Sequence, residues 1–94
     1  MEFEWDDEKN KSNLEKHGIA FEEAALIFSG VTLSKTDDRR NYGEVRTISI
    51  GQLVDQVVVV VVHTLRDHRI RMISARLAHR IERKEYHEYC SQIT

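Results

Sequence analysis

Apolar residues along the chain follow helical spacing in some segments and strand spacing in others. Residues 3–5, Phe-Glu-Trp, alternate as in a short strand, whereas the apolar residues of segment 21–28 recur at i, i+3, i+4 and i+7. The second pattern places one apolar face on a helix. Residues 57–62 are six consecutive valines, a β-branched run with apolar side chains on both faces, which predicts a central strand.

Helix boundary signals accompany these patterns. Asp6 is a suitable N-cap, and Gly18 a suitable C-terminal stop, for a first helix with acids in its first turn and Lys16 and His17 in its last. Ser29-Gly30 ends the second helix, and Ser74 is the predicted N-cap of a closing helix that runs to about Tyr89.

The remaining segments predict four further strands, which together give the fold class. Strands are predicted over 31–36, 44–50, 57–64 and about 69–73, with a polar loop over 37–43 and a tight turn at Asp67-His68. The order β-α-α-β-β-β-β-α predicts an α+β protein: a small antiparallel sheet with two N-terminal helices and a C-terminal helix. With 94 residues the chain is expected to form a single domain, 1–94.

Composition excludes several classes of protein. Hydrophobic residues make up 40% and charged residues 32% of the chain, which is a globular balance. The valine run is far shorter than the ~20 residues of a membrane span, and Cys90 is the single cysteine, so no disulfide can form within the chain. We therefore expect a cytoplasmic protein without a membrane segment.

Charge is divided unevenly along the chain, although the formal net charge is only −2. Residues 1–44 carry eleven Asp and Glu against six Lys and Arg, whereas residues 63–94 carry seven Lys and Arg against four acids. This asymmetry indicates either a basic functional face or an acidic half that packs against a basic one.

A basic stripe is predicted on the closing helix. Arg76, Arg80, Arg83 and His87 are spaced i, i+4, i+7 and i+11 and would share one helix face. Like-charge neighbours cost a helix roughly 0.2–0.5 kcal/mol per pair, and the guanidinium fork matches phosphate, so the stripe favours an anionic partner. The alternative is an ordinary solvated face, because Glu82 and Glu85 flank the stripe.

The predicted hairpin before this helix adds further arginines. A turn of two or four residues pairs Leu65 with Ile70 and Thr64 with Arg71. One face then carries Thr64, Arg66, Arg69 and Arg71, while His63 and Met72 point to the other. A three-residue turn would instead place His63 opposite Arg71, but no glycine is available for the bulged loop that such a turn favours. His63 itself is either a packed histidine or a proton carrier.

Metal and nucleophile motifs are weak. His79 with Glu82, and His87 with Cys90, each offer two ligands, fewer than a zinc site requires. The sequence contains no glycine-rich phosphate loop and no nucleophile elbow. We expect no metal site and no cofactor.

An ordered set of short segments resembles the BrnT-type toxins, small ribonucleases of bacterial type II toxin–antitoxin modules with a RelE-like fold. The segments are Phe3-Glu4-Trp5-Asp6, Asn10-Lys11, Asn13, Lys16-His17-Gly18-Ile19, Phe21-Glu22-Glu23-Ala24, Gly43-Glu44-x-Arg46, Ile50-Gly51, His63-Thr64-x-Arg66, Ile73-Ser74-Ala75-Arg76-x-Ala78, Glu82-Arg83 and Tyr86. They extend over nearly the whole chain.

The resemblance implies metal-independent endoribonuclease activity that inhibits translation. It also implies neutralisation by a cognate BrnA-type antitoxin, and contact with operator DNA only through the antitoxin complex. RNA carries its own nucleophile, the 2′-OH, so the protein need only align it, move protons and stabilise the phosphate.

Candidate residues follow from this chemistry. The catalytic candidates are His63 for proton transfer, Glu44 as a reserve base, and Arg66, Arg76, Arg80 and Arg83 for the phosphate. The candidates for RNA binding are Lys9, Lys11, His17, Arg46, Arg69 and Arg71. The alternative function is a non-catalytic module that binds nucleic acid or a protein through the C-terminal basic face.

Overall fold

The computed structural model describes residues 1–93, which form one five-stranded sheet and three α-helices. The elements are β1 (Glu2–Glu4), α1 (Asp7–His17), α2 (Phe21–Ala24), β2 (Thr32–Asp37), β3 (Arg46–Gln52), β4 (Val58–Arg66), β5 (Arg69–Leu77) and α3 (Arg80–Ile93). This order agrees with the order predicted from the sequence. No helix in residues 1–93 is long and apolar enough to cross a membrane.

The sheet is mixed, so the prediction of a purely antiparallel sheet is wrong. Its strand order is β1-β5-β4-β3-β2, with β1 parallel to β5 and all other neighbours antiparallel. A parallel pair requires a long connection between its strands. Here the whole chain from α1 to β4 lies between β1 and β5, so β1 reaches the far edge in the parallel direction.

The first helix begins and ends where the sequence predicts. The Asp6 carboxylate accepts hydrogen bonds from the backbone N–H groups of Glu8 (2.8 Å) and Lys9 (3.3 Å), and Gly18 ends the helix in the left-handed conformation with φ 74°. The second predicted helix is α-helical only over Phe21–Ala24 and continues as a 3₁₀ turn over Ala25–Ser29.

The core lies on both faces of the sheet, as the valine run of β4 requires. Val59 and Val61 point toward α1, α2 and the 3₁₀ turn, and we call this side the helical face. Val58 and Val60 point to the opposite side, where Tyr86 of α3 packs on them. Because α3 covers only one end of this second side, its other end stays open to polar side chains.

The closing helix begins at Arg80, six residues after the predicted N-cap Ser74. Ser74 and Ala75 belong instead to β5, where they pair with Val62 and Val61 of β4. The signal for the true start lies further on, because the Glu82 carboxylate accepts a hydrogen bond from the His79 N–H at 2.8 Å. A Glu three residues after the N-cap residue, which is His79 here, is a known signal for the start of a helix.

The hairpin of β4 and β5 has the register that the sequence favours. Asp67 and His68 form a two-residue turn with φ 47° and 66°, which pairs Leu65 with Ile70 and Thr64 with Arg71. Between the pairs Val62–Ser74 and His63–Met72 one extra residue, Ile73, bulges out of β5. Alternation along both strands therefore directs His63 to the helical face and the arginines to the other face.

Candidate nucleic-acid-binding cleft

Five arginines of the sheet share the side opposite the helical face, which we call the arginine face. They are Arg46 of β3, Arg66 of β4, and Arg69, Arg71 and Arg76 of β5. Strand alternation places them there together with Val60 and Val62. The sequence prediction that Arg66, Arg69 and Arg71 share one face is confirmed, whereas the predicted helical stripe is wrong because Arg76 lies on β5 and not on α3.

A cleft of about 290 Å³ opens on the arginine face where α3 stops covering the sheet. Its floor consists of apolar strand residues, and its walls carry charged side chains from the polar loop after β2, from β5 and from α3. The lining residues are Lys35, Arg39, Ile48, Ile50, Val60, Val62, Ser74, Arg76, Glu82 and Glu85. We call this region the arginine cleft.

Arg76 is held in the cleft by Glu82. Its Nη1 and Nη2 atoms donate to the two carboxylate oxygens at 2.8 Å each, and Nη1 also donates to the Leu77 carbonyl at 3.1 Å. These hydrogen bonds lower the pKa of Glu82 to about 2 and raise the pKa of Arg76. These three hydrogen bonds use three of the five N–H groups of Arg76. One N–H on Nε and one on Nη2 remain for a ligand.

Arg39 lines the opposite wall of the same cleft. Its Nε and Nη2 atoms donate to the Asp37 carboxylate at 2.8 and 2.9 Å, and the Tyr42 hydroxyl donates to the same carboxylate at 3.2 Å. Asp37 is only 4% exposed, and the hydrogen bonds from Arg39 hold the pKa of that carboxyl far below its usual range. The positive charge of Arg39 also acts on Arg76, where it partly offsets the rise in pKa that Glu82 causes.

A second arginine cluster adjoins the cleft around Glu44. The Glu44 carboxylate accepts from Arg66 Nη2 at 3.1 Å and from Arg46 Nε at 3.3 Å, and these bonds lower the pKa of Glu44. The Arg46 guanidinium lies 4.0 Å from the centre of the Tyr42 ring, a cation–π contact. Glu44 is therefore an ionised carboxylate that positions two arginines.

At the β1 edge the arginine face is neutralised by acids of β1. Arg69 donates to Glu2 at 3.0 Å, and Arg71 donates to Glu4 at 2.8 Å. Surface pairs of this kind contribute about 0–1 kcal/mol each. Arg69 and Arg71, two of the predicted RNA-binding residues, thus lie on the arginine face but do not line the arginine cleft.

The arginines of α3 lie apart from the cleft. Arg80 is exposed in a shallow depression with His79, Ile81 and Lys84, on the side of α3 that faces away from the sheet. Arg83 donates from Nη1 to the Ala78 carbonyl at 2.9 Å. Neither lines the arginine cleft, so the structure separates Arg80 and Arg83 from Arg76.

His63 points to the helical face. Its Nε2 atom lies 2.8 Å from the Ser49 Oγ, and its ring packs edge-on against Phe28 with the centroids 4.9 Å apart. Burial lowers the pKa of His63 and favours the neutral imidazole. The catalytic role of His63 stays a prediction, with its imidazole on the face opposite Arg76.

Three predicted RNA-binding residues lie on α1. Lys9, Lys11 and His17 are exposed, and α1 packs on the helical face through contacts with β5. They are thus separated from the arginine cleft by the sheet.

Two cleft cations, Arg39 and Lys35, were absent from the sequence-based candidates. Arg39 follows β2 by two residues, and its orientation depends on Asp37, which the fold buries opposite Arg46. The spacing Asp37-x-Arg39 in a polar loop is the available signal, and it is common in loops without any function. No group of three potential metal ligands occurs within residues 1–93.

Similarity to known proteins identifies the family of the chain. The sequence model of the ribonuclease toxin BrnT, of type II toxin–antitoxin systems, matches residues 5–82. The crystal structure of the Brucella abortus ribonuclease toxin BrnT superposes with a TM-score of 0.62 at 23% identity, covering 85% of this chain and 99% of that one. None of the curated proteins compared with the chain matches it. The family match spans most of the chain, and the chain therefore belongs to the BrnT family of ribonuclease toxins from type II toxin–antitoxin systems.

Proposed function

We propose that the arginine cleft binds the phosphate backbone of RNA and cleaves it without a metal ion. The observation that carries this proposal is the convergence of Arg39 and Arg76 on one cleft, each oriented by its own carboxylate. Pre-oriented guanidinium groups stabilise charge on a phosphate without reorganisation during the reaction. Membership of a ribonuclease family supports the same chemistry.

The donors that remain on the two guanidiniums suit a phosphodiester. Asp37 occupies Nε and one hydrogen of Nη2 on Arg39, which leaves three N–H groups. Arg76 contributes two more across the cleft. The non-bridging oxygens of a pentavalent phosphate carry extra negative charge, so hydrogen bonds from these groups strengthen as the transition state forms.

The reaction that fits these groups is attack of the 2′-oxygen on the adjacent phosphorus. The P–O5′ bond breaks, so the products are a 2′,3′-cyclic phosphate and a free 5′-hydroxyl. One proton leaves the 2′-OH and one is delivered to the departing O5′. The role that we assign to this chain is stabilisation of the phosphate by Arg39 and Arg76, and proton transfer by His63 or Glu44 stays a prediction.

In the cell this activity would act as a toxin. We propose that cleavage of RNA inhibits translation in the cytoplasm, and that a cognate antitoxin of the BrnA type neutralises it. Operator DNA would be bound only through the complex with that antitoxin. We also propose that the fold is RelE-like, on the ground of the family to which the chain belongs.

The test is cleavage of a fluorescent single-stranded RNA by the purified chain, with and without EDTA. We expect cleavage that survives EDTA, yields a cyclic phosphate end, and falls by about 10²–10³ in Arg76→Ala. Arg39→Ala should show a similar loss. Lys84→Ala removes an exposed cation on the outer side of α3 and is the matched control, with unchanged activity expected.

Two outcomes would contradict the proposal. Activity that disappears with EDTA and returns with a divalent ion would show metal dependence. Cleavage at the wild-type rate by a folded Arg39→Ala, Arg76→Ala double variant would place the active site elsewhere, and an Arg80→Ala variant would then test the outer side of α3.

The second candidate function is a non-catalytic RNA-binding module. It is favoured by one observation, the pairing of the sheet arginines with carboxylates, because paired guanidiniums can bind phosphate without providing a proton carrier. Salt-dependent RNA binding without product, in the presence and absence of ribosomes, would support this function.

A further inference from the structure

The arginine cleft continues along β2 into an apolar slot of about 140 Å³. The floor of the slot is formed by Leu33, Ile48 and Ile50, and its walls by Lys35 of β2 and Glu85 of α3. Lys35, Ile48, Ile50 and Glu85 also line the arginine cleft, so the two spaces are continuous. A ligand held at the arginines can therefore extend into the slot.

Lys35 and Glu85 lack partners within residues 1–93, where neither side chain forms a hydrogen bond or an ion pair. Glu82, the other carboxylate of the cleft, holds Arg76. Two opposite charges thus face each other across an apolar floor without forming a salt bridge. Such an arrangement suits a flat ligand that presents hydrogen-bond donors on one edge and acceptors on another.

We propose that the slot is a base-binding subsite that selects guanine in single-stranded RNA; this inference rests on the proposed function of the arginine cleft. The aliphatic side chains of Leu33, Ile48 and Ile50 would contact the base, while the neighbouring phosphate lies between Arg39 and Arg76. Only an unpaired base can lie in a narrow slot of this kind, since a base in a helix is stacked and paired.

Guanine fits the two charged walls better than the other bases. Its Watson–Crick edge presents two adjacent donors, N1–H and N2–H, which match the two oxygens of the Glu85 carboxylate. Its O6 and N7 atoms are acceptors that a lysine recognises. Adenine and cytosine offer one amino group each and uracil offers one imino group, so each leaves part of the Glu85 carboxylate unpaired.

The test separates base selection from cleavage. Four fluorescent single-stranded RNAs are compared that differ only in one central nucleotide, G, A, C or U. Binding is measured by anisotropy on versions with a 2′-O-methyl group at every nucleotide, which removes every nucleophile, and cleavage is measured on the unmodified versions. Glu85→Gln is the test variant, and Glu88→Gln, one turn further along α3 and outside the slot, is its control.

We expect the wild type and Glu88→Gln to bind the G oligonucleotide about tenfold or more tightly than the other three. Glu85→Gln should reduce this preference to about threefold or less, because an amide presents only one acceptor to two donors. Equal binding of the four oligonucleotides, or a guanine preference that survives in Glu85→Gln, would overturn the subsite.

The failure of the proposed function has a different signature. Preferential binding of guanine without cleavage of any unmodified oligonucleotide would retain the subsite and reject the nuclease. Cleavage of all four at equal rates, with equal binding, would retain the nuclease and reject the subsite. A circular dichroism spectrum of each variant checks that the fold is intact.

Discussion

Arg76 at the end of β5 and Glu82 in the first turn of α3 form a two-pronged ion pair with both N–O distances at 2.8 Å. The same carboxylate accepts a hydrogen bond from the His79 N–H, also at 2.8 Å. Glu82 thus starts the closing helix and fixes the direction of a cleft arginine. The Glu82 side chain therefore connects the start of α3 directly to Arg76 of the arginine cleft.

Replacing Glu82 by Gln should destabilise the protein in a pH-dependent way. The pKa of Glu82 is about 2 in the folded protein and about 4.3 in an unfolded chain. Since the folded pKa is depressed, the stabilisation is complete above about pH 5 and is lost as the pH falls toward 2. Hydrogen bonds to charged groups contribute about 1.5–3 kcal/mol, and this pair is 34% exposed on the Arg76 side and 25% on the Glu82 side. After discounting for solvent screening we expect a loss of about 1–2 kcal/mol at pH 7.

Urea unfolding of wild type and Glu82→Gln at pH 7, 5 and 3 measures this effect. The difference in unfolding free energy should be largest at pH 7 and should shrink between pH 5 and 3. A difference that stays constant across this range would show that the charge of Glu82 contributes nothing to stability.

The element order was predictable because its signals are local. The Asp6 cap, the Gly18 stop, the valine run and the turn at Asp67-His68 depend on residues close in sequence. The parallel direction of β1 depends on which edge of the sheet is free, and this is decided only by tertiary packing. Ser74 is a good N-cap by type, but pairing with Val62 of β4 overrides its local preference.

The candidate site was predictable in part for a related reason. Arg66, Arg69 and Arg71 follow from strand alternation once the turn length is known. The spacing of Arg76, Arg80 and Arg83 predicts a helical stripe, yet Arg76 is a strand residue, so this spacing is coincidental. Arg39 could not be singled out, because Asp37 orients its side chain locally, whereas only the folded sheet brings the loop after β2 and strand β5 to the same cleft.

Asn13 should be important for stability although it is far from the cleft. It is 7% exposed, its Nδ2 donates to the carbonyls of Ile19 (2.9 Å) and Ala75 (2.8 Å), and its Oδ1 accepts from the Ala75 N–H at 3.1 Å. Asn13→Ala removes the partner of three buried backbone groups at once. We expect a loss of about 2–4 kcal/mol.

Thermal unfolding monitored by circular dichroism measures the effect. Ser12→Ala, a change at the neighbouring exposed position of the same helix, serves as the control and should change stability by less than about 0.5 kcal/mol. Equal melting temperatures for the two variants would contradict the role of Asn13 as the link between α1 and β5.

His63 should make stability depend on pH near neutrality. Burial against Phe28 lowers its pKa in the folded protein below the ordinary value of about 6.5. The unfolded chain then binds a proton more readily, so the stabilisation is complete above about pH 6.5 and is lost as the pH falls further. His63→Gln keeps a hydrogen-bonding group near Ser49 but does not titrate.

The unfolding free energies of wild type and His63→Gln, measured between pH 7.5 and 5.5, provide the comparison. The wild type should lose more stability over this interval than the variant. If His63 also carries a proton in RNA cleavage, the rate will fall by at least about tenfold in this variant. An unchanged rate would limit His63 to packing on the helical face.

The last prediction concerns the number of phosphates that the arginine cleft contacts. Binding of a single-stranded RNA weakens with salt by a slope of about −0.7 per neutralised phosphate in a plot of log K against log salt concentration. If Arg39 and Arg76 share one phosphate, either single alanine variant should leave the slope nearly unchanged, because the other arginine still neutralises that phosphate, and the double variant should reduce it by about 0.7. If each contacts its own phosphate, the reductions should add to about 1.4.

Anisotropy between 50 and 300 mM salt, on RNA with a 2′-O-methyl group at the cleavage site, distinguishes these cases. The shared phosphate is expected, because the two guanidiniums line the same cleft and the charge of Arg39 is felt at Arg76. A slope unchanged in the double variant would show that RNA does not bind here.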